Sequence, residues 1–190
     1  GSVIHAMGGE QDIRKMGGLK KYMPTTSWTF LVGCLAIAGI PGLSGFFSKD
    51  EILAHTFAAS KLMYALALAG ALMTAFYMFR LYYITFCGKF RGTHEQEHHL
   101  HESPAAMTIP LIILAVLSIA GGYVGLPEVF GVKHVLGEYL APIFAPSAPF
   151  ATTHHLSHST EWILMGLSTV LVIVFILLAR KQFIAYQDNG

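Results

Sequence analysis

Apolar residues gather in four long blocks along this chain, roughly over residues 25–47, 62–87, 105–126 and 161–179, with short polar joints between most of them. Each block is long enough to cross a hydrocarbon layer of about 30 Å, which takes about 20 residues of helix. Unpaired backbone amides and carbonyls are costly in lipid, so the blocks are expected as helices and not strands. The pattern predicts an all-α, polytopic transmembrane helical bundle of about four spanning helices, forming a single membrane domain over 1–190. Residues 127–160 make the one long connection, with Pro127, Pro142, Pro146 and Pro149 as breakers. Inside it Val132, Val135, Leu136, Tyr139, Leu140 and Ile143 recur at helical spacing. That spacing leaves two readings open: an amphipathic helix lying along the interface, or a loop folded onto its own helices.

The first block is interrupted. In GIPGLSGFFSKDE, residues 39–51, Pro41 has no amide hydrogen and its ring conflicts with the carbonyl of Ile37, while Gly39, Gly42 and Gly45 remove side-chain packing. A kink or unwound turn is expected near 39–44. Helicity is expected to resume at Ser48, because Ser48 and Glu51 have the spacing of a capping box. Run straight from Thr25 to Ala59, the two halves would extend roughly 52 Å at about 1.5 Å per residue, too long for an upright membrane helix.

Lys49 and Asp50 follow the break directly, and spacing alone supports two accounts of them. In one, the membrane ends near Phe47 and these residues cap an interfacial helix in water. In the other, the helix is discontinuous within the membrane and the pair sits in a protein-lined cavity, solvated by freed carbonyls and water. The second account gives the pair a chemistry: a dry environment disfavours the ammonium while the adjacent carboxylate favours it, so the lysine can load and unload a proton. Ionisable groups at membrane depth usually mark such a route. His55, further along the same segment, could continue it outward or be an ordinary interfacial side chain.

Charge adds an orientation. The chain has 12 Lys and Arg against 11 Asp and Glu in 190 residues, a net charge of +1, and 54% hydrophobic residues. There is no clustered basic field, so nucleic acid is excluded as a partner on electrostatic grounds. Arg14, Lys15, Lys20, Lys21, Lys89, Arg91, Arg180 and Lys181 fall on one side of the predicted spans, whereas Lys61 and Lys133 fall on the other. The positive-inside rule makes the first side cytoplasmic, with both ends of the sequence facing it and residues 5–24 forming a cytoplasmic turn. Arg80, inside the second block, is expected to snorkel to the interface. In the turn, His5, Glu10, Asp12 and Arg14 are expected to pair structurally.

Redox and metal chemistry find little here. Cys34 and Cys87 lie in apolar runs as small hydrophobes; there is no Cys quartet for an iron-sulfur cluster and no G-x-G-x-x-G loop. THEQEHHLHES (93–103) and THHLSHS (153–159) are histidine-rich, but the predicted topology puts them on opposite sides of the membrane. Solvated, pH-sensitive loops are the expected reading, and no metal site is assigned. The opening GSVIHAM reads as the tail of a helix, so the chain is expected to be a piece of a longer protein.

Three stretches carry a resemblance: HAMGGEQDIRKMGGLKKYMP (5–24), GIPGLSGFFSKDEIL (39–53) and HESPAAMTIPLIILA (101–115). In order and separation they resemble the largest antiporter-like subunit, chain L or chain 5 type, of respiratory complex I, the proton-pumping NADH:quinone oxidoreductase. The resemblance implies a discontinuous helix whose lysine, Lys49 here, lies with Asp50 on a hydrophilic proton-handling axis. It implies an inner-membrane location in a bacterium, other membrane-arm subunits and the lipid bilayer as partners, and NADH, FMN, iron-sulfur clusters and quinone held by other subunits, with no redox centre in this chain. The family's earlier broken helix and its lateral helix have no counterpart in this sequence, and Gly8 stands where many relatives have a polar residue. The large subunit of a multisubunit sodium/proton antiporter, with its similar GF-x-SK segment, is the alternative; a non-transporting structural fragment is another.

Overall fold

Helices form where the apolar blocks lie, and polar side chains decide where several of them start. In the computed structural model, residues 1–125, 135–144 and 157–188 are described, and among them there is no strand. A short α1 (Ser2–Ala6) leads into a loop with two 3₁₀ turns, Ile13–Lys15 and Leu19–Lys21. The first block gives α2 (Pro24–Ala38), with proline at its first position, where a missing amide hydrogen costs nothing. After the break comes α3 (Ser44–Ala59), then α4 (Lys61–Phe86), whose start is capped by the Ser60 hydroxyl accepting from the Met63 amide. A short α5 (His94–His99) precedes α6 (Ala105–Ala120), which runs on into a 3₁₀ turn, Gly121–Gly125. The last two are α7 (Val135–Phe144) and α8 (His158–Asp188).

Three stretches, Lys61–Phe86, Ala105–Val124 and His158–Ile184, are long and apolar enough to cross a membrane, and Pro24–Ala38 is a shorter apolar helix. The chain is thus an all-α membrane-type bundle. The central helix is α4, which packs against α2, α3 and α8, while α6 lies on α2 and α3. The main core joins Met7, Met16, Leu19 and Met23 of the N-terminal loop to Cys34, Ala38, Phe79, Tyr82, Phe86, Val172 and Ala179 on the helices. Both cysteines are free thiols, Cys34 buried and Cys87 half-buried.

Several boundaries differ from the sequence expectation. Helicity resumes at Ser44, not Ser48. Ser48 lies one turn inside α3, its hydroxyl near the carbonyls of Ser44 and Gly45, so it is not a cap. The restart is set by packing: the beginning of α3 sits beside the end of α2 and against the Gly121–Gly125 turn, where a side chain on Gly122 would strike Ser44 and Phe47. The two halves therefore overlap instead of adding to one long rod. α8 extends past the predicted edge at 179 through Arg180 and Lys181, because Phe183 stacks edge-on with Phe76 of α4 (5.7 Å between centroids) and receives the Arg80 guanidinium at 5.5 Å. Pro142, expected to break structure, lies inside α7, with exposed Tyr139 and Ile143. Val132, Pro127, Pro146, Pro149, His154 and His155 lie outside the described residues.

The N-terminal loop is fastened to the end of α4. The Arg91 guanidinium donates to the carbonyls of Arg14 (2.9 Å), Ile84 (2.8 Å) and Ile13 (3.4 Å). Within the loop the ion pairs are Lys15 with Glu10 (2.7 Å) and Arg14 with Asp12 (2.9 Å). The hydrogen bonds from Arg14 hold the Asp12 carboxyl down at about 2. His5, expected among these charges, is exposed and takes no part in either pair.

Candidate functional site

The break at the end of α2 leaves carbonyls to be satisfied, and their partners define the site. Gly39 turns the chain with φ 82°, a left-handed conformation that a side chain would strain. Its amide donates to Ala36 O and the next amide, Ile40, donates to Leu35 O, both at 3.1 Å, in the Schellman pattern. The next carbonyl along, Ile37 O, would ordinarily meet the amide of residue 41. That residue is Pro41, which has none.

Lys49 fills this position. Its Nζ donates to Ile37 O at 3.0 Å and to Ala38 O at 2.9 Å, so a cation on α3 closes the end of α2, where the helix dipole concentrates negative charge. Two glycines make the reach possible. A Cβ on Gly45 would overlap the Ala36 carbonyl, so only glycine lets α3 approach this closely, and a Cβ on Gly39 would press on Lys49 Cδ at 3.2 Å.

Asp50, the next residue, points elsewhere, because a helix turns about 100° per residue. It is only 7% exposed, and its Oδ1 accepts from Ser168 Oγ of α8 at 2.7 Å. Among the described residues its Oδ2 has no hydrogen-bond partner, and neither has the buried Tyr64 hydroxyl of α4. Lys49 and Asp50 form no ion pair with each other: one serves the end of α2, the other meets α8. His55 is exposed on α3 and is brought to neither group.

At the opposite end of α2 lies a residue that sequence reasoning passed over. Met23, at the N-cap, has no acceptor side chain. The Glu102 carboxylate supplies one from the α5–α6 joint, accepting from the amides of Thr25 (2.7 Å) and Thr26 (3.3 Å), the Thr26 hydroxyl (2.7 Å) and the Ser103 amide (3.2 Å). Partial burial works against its ionised form, but these hydrogen bonds, led by Thr26, outweigh it and hold the carboxyl below its ordinary value. The available signal was negative: a proline-led helix with no Ser, Thr, Asp or Asn before it needs an acceptor from elsewhere. Helix α2 is thus closed by a carboxylate at its positive end and an ammonium at its negative end.

Other candidates are not drawn in. The first histidine-rich stretch forms α5 behind a Thr93/Gln96 capping box, with His94 and His98 Nε2 atoms 3.3 Å apart. Among the described residues no three His, Cys, Asp or Glu side chains are gathered as a metal would need. A cleft of about 470 Å³ between α1, α2, α4 and α6 is lined by Phe30, Cys34, Ile37, Met78 and Leu114, and by neither Lys49 nor Asp50.

Residues 1–77, which hold the broken helix and both of its charged residues, match the family described as NADH:quinone oxidoreductase/Mrp antiporter, TM. Beyond that match, the chain is 41% identical to the NAD(P)H-quinone oxidoreductase chain 5 of Picosynechococcus sp., across 97% of this chain and 31% of the relative. The chain belongs to the NADH:quinone oxidoreductase/Mrp antiporter family. Within it, the chain is also 43% identical to the NADH-quinone oxidoreductase subunit L of Rhodobacter capsulatus, over 70% of this chain and 20% of the relative. To the NADH-ubiquinone oxidoreductase chain 5 of Rhizopus stolonifer it is 44% identical, over 65% of this chain and 20% of the relative. The chain therefore spans a third or less of the length of the curated relatives it matches.

Proposed function

We propose that this chain carries the Lys49–Asp50 portion of a proton route in the membrane arm of a proton-translocating NADH:quinone oxidoreductase. The observation that carries the reading is the Lys49 amine bonded to the two carbonyls at the break. An ammonium has three hydrogens, and two of them are engaged. The third is free to leave through water, and the neutral amine that remains keeps both carbonyl bonds while presenting a lone pair for the next proton. Discharge and reloading then proceed without unlocking α2 from α3. Redox energy released in partner subunits, where NADH, FMN, iron-sulfur clusters and quinone would be held, drives the cycle by changing the charge state and water access of this amine.

The names of the relatives quoted above are those of quinone oxidoreductase subunits, which favours this reading over the large subunit of a sodium/proton antiporter. Exposed apolar side chains such as Leu62, Leu66 and Met73 on α4 and Ile113 and Leu117 on α6 suit contact with lipid and neighbouring membrane subunits. In a bacterial inner membrane, the basic residues place both ends of the chain on the cytoplasmic side.

The test is Lys49→Ala in the complete complex, reconstituted into proteoliposomes. Proton uptake driven by NADH oxidation is expected to fall strongly while the complex still assembles, since the Gly39 and Ile40 amides continue to hold the end of α2. Near-normal pumping would overturn the reading.

A further inference from the structure

Ser168 has one hydroxyl hydrogen and two acceptors. Its Oγ lies 2.7 Å from Asp50 Oδ1 and 3.0 Å from the carbonyl of Met165, one turn back on α8. The second contact is the ordinary way a mid-helix serine satisfies itself. The first crosses from α8 to α3 and is buried, with Ser168 only 4% exposed. A buried carboxyl normally pays heavily for one of its two protonation states, because a partner that donates to the carboxylate cannot also accept from the acid. A hydroxyl with an alternative acceptor within reach removes that conflict.

We infer that Ser168 and Asp50 form a two-state proton site in which the serine hydroxyl reverses its direction when the carboxyl is protonated. With Asp50 ionised, the hydroxyl donates to Oδ1. When a proton arrives at Oδ2, the oxygen with no partner among the described residues, a half-turn of the carboxyl about its Cβ–Cγ bond brings the new O–H to the serine. The hydroxyl then swings its own hydrogen to Met165 O and accepts from the acid through the lone pair so released. One proton has been added, every hydrogen has an acceptor in both states, and no helix needs to move. The arrangement deepens the proposed proton route, on whose reading its role in pumping rests. It also assigns α8, through Ser168, a direct part in the site.

Of the titratable groups on the elements packed around the pair, Lys49 on α3 is bonded to Ile37 O and Ala38 O. From α4 comes the Tyr64 hydroxyl, buried and without a partner among the described residues. Its ring packs in a small buried cluster with Leu53 of α3 and Leu164 of α8. Lys61, at the start of α4, is turned to the Phe57 ring at 5.1 Å. Tyr123, in the turn after α6, stacks on Phe47 at 5.5 Å.

The experiment is infrared difference spectroscopy of the intact complex between acid and alkaline pH, with Asp50→Asn identifying the carboxyl band of Asp50. Ser168→Ala leaves the protonated carboxyl without its hydroxyl acceptor, so the C=O band is expected to move to higher frequency and pumping to fall several-fold. Ser168→Thr restores the hydroxyl and is expected to return both. An Asp50 band unmoved by Ser168→Ala, or no band that Asp50→Asn removes, would overturn the inference. The two readings fail separately. If Lys49→Ala pumps normally while the Asp50 band still answers to Ser168, the proton-route proposal falls and the two-state site stands. If Lys49→Ala abolishes pumping while the band ignores Ser168, the reverse holds.

Discussion

A single missing hydrogen organises the site. Pro41 cannot donate to Ile37 O, and the lysine twelve positions further on from Ile37 takes that acceptor together with Ala38 O. The proline, the lysine and the need for a break were all legible in the sequence. What was not legible was that they are the same feature, because the contact depends on how closely α3 returns to α2. Gly45 sets that distance. Gly45→Ala would drive a methyl into the Ala36 carbonyl, so α3 must shift and the Lys49 bonds lengthen. The expected cost is about 1–3 kcal/mol by analogy with overpacked cores, with a loss of pumping. Thermal unfolding of the purified complex variant, set beside its pumping rate, measures both. A Gly45→Ala complex as stable and as active as the parent would show that this approach is not needed.

Helix α2 is the element on which the site depends, and both its ends are finished by side chains from other parts of the chain. Met23 and Gly39 bracket it, but Glu102 and Lys49 supply the charges. Its existence followed from the apolar block. Its closure did not, since Glu102 is 77 residues from Thr25 and no local rule connects them. The same limit explains the misplaced start of α3. The Ser48–Glu51 spacing is a local signal, whereas the observed start at Ser44 is fixed by contacts with Gly122 and Ala36. Ser168, 118 positions from Asp50, was out of reach of sequence for the same reason. Glu102→Ala is expected to destabilise α2 by about 1 kcal/mol, the usual value of a lost N-cap. Glu102→Gln, which keeps an acceptor without the charge, should lose less. Because the folded carboxyl lies below its ordinary value of 4.5, its stabilisation is complete above that pH and is lost as pH falls through the lower folded value. Acid unfolding of the complex should therefore be less steep over that window in Glu102→Gln than in the parent; identical profiles would contradict the assignment.

At the scale of the whole molecule, the four apolar blocks, the all-α class and the interruption of the first block were readable because each depends on the neighbouring residues in sequence. The packing order around α4 and the extension of α8 beyond Arg180 were not, since they rest on pairs such as Phe76 with Phe183. The bundle's orientation is the remaining claim at this scale. Single cysteines replacing Lys20 and Lys181 should react with a membrane-impermeant thiol reagent from the cytoplasmic side, and one replacing Lys61 from the opposite side; labelling of all three from one side would contradict the topology. The central claim is that Lys49 both closes α2 and exchanges a proton, and Lys49→Arg separates the two. An arginine keeps the positive charge and the donors for Ile37 O and Ala38 O, yet it does not release a proton in proteins. Proton pumping by the assembled Lys49→Arg complex is the most direct measurement. The account predicts a complex that assembles and oxidises NADH but has lost most of its pumping, and pumping at the parent rate would contradict it.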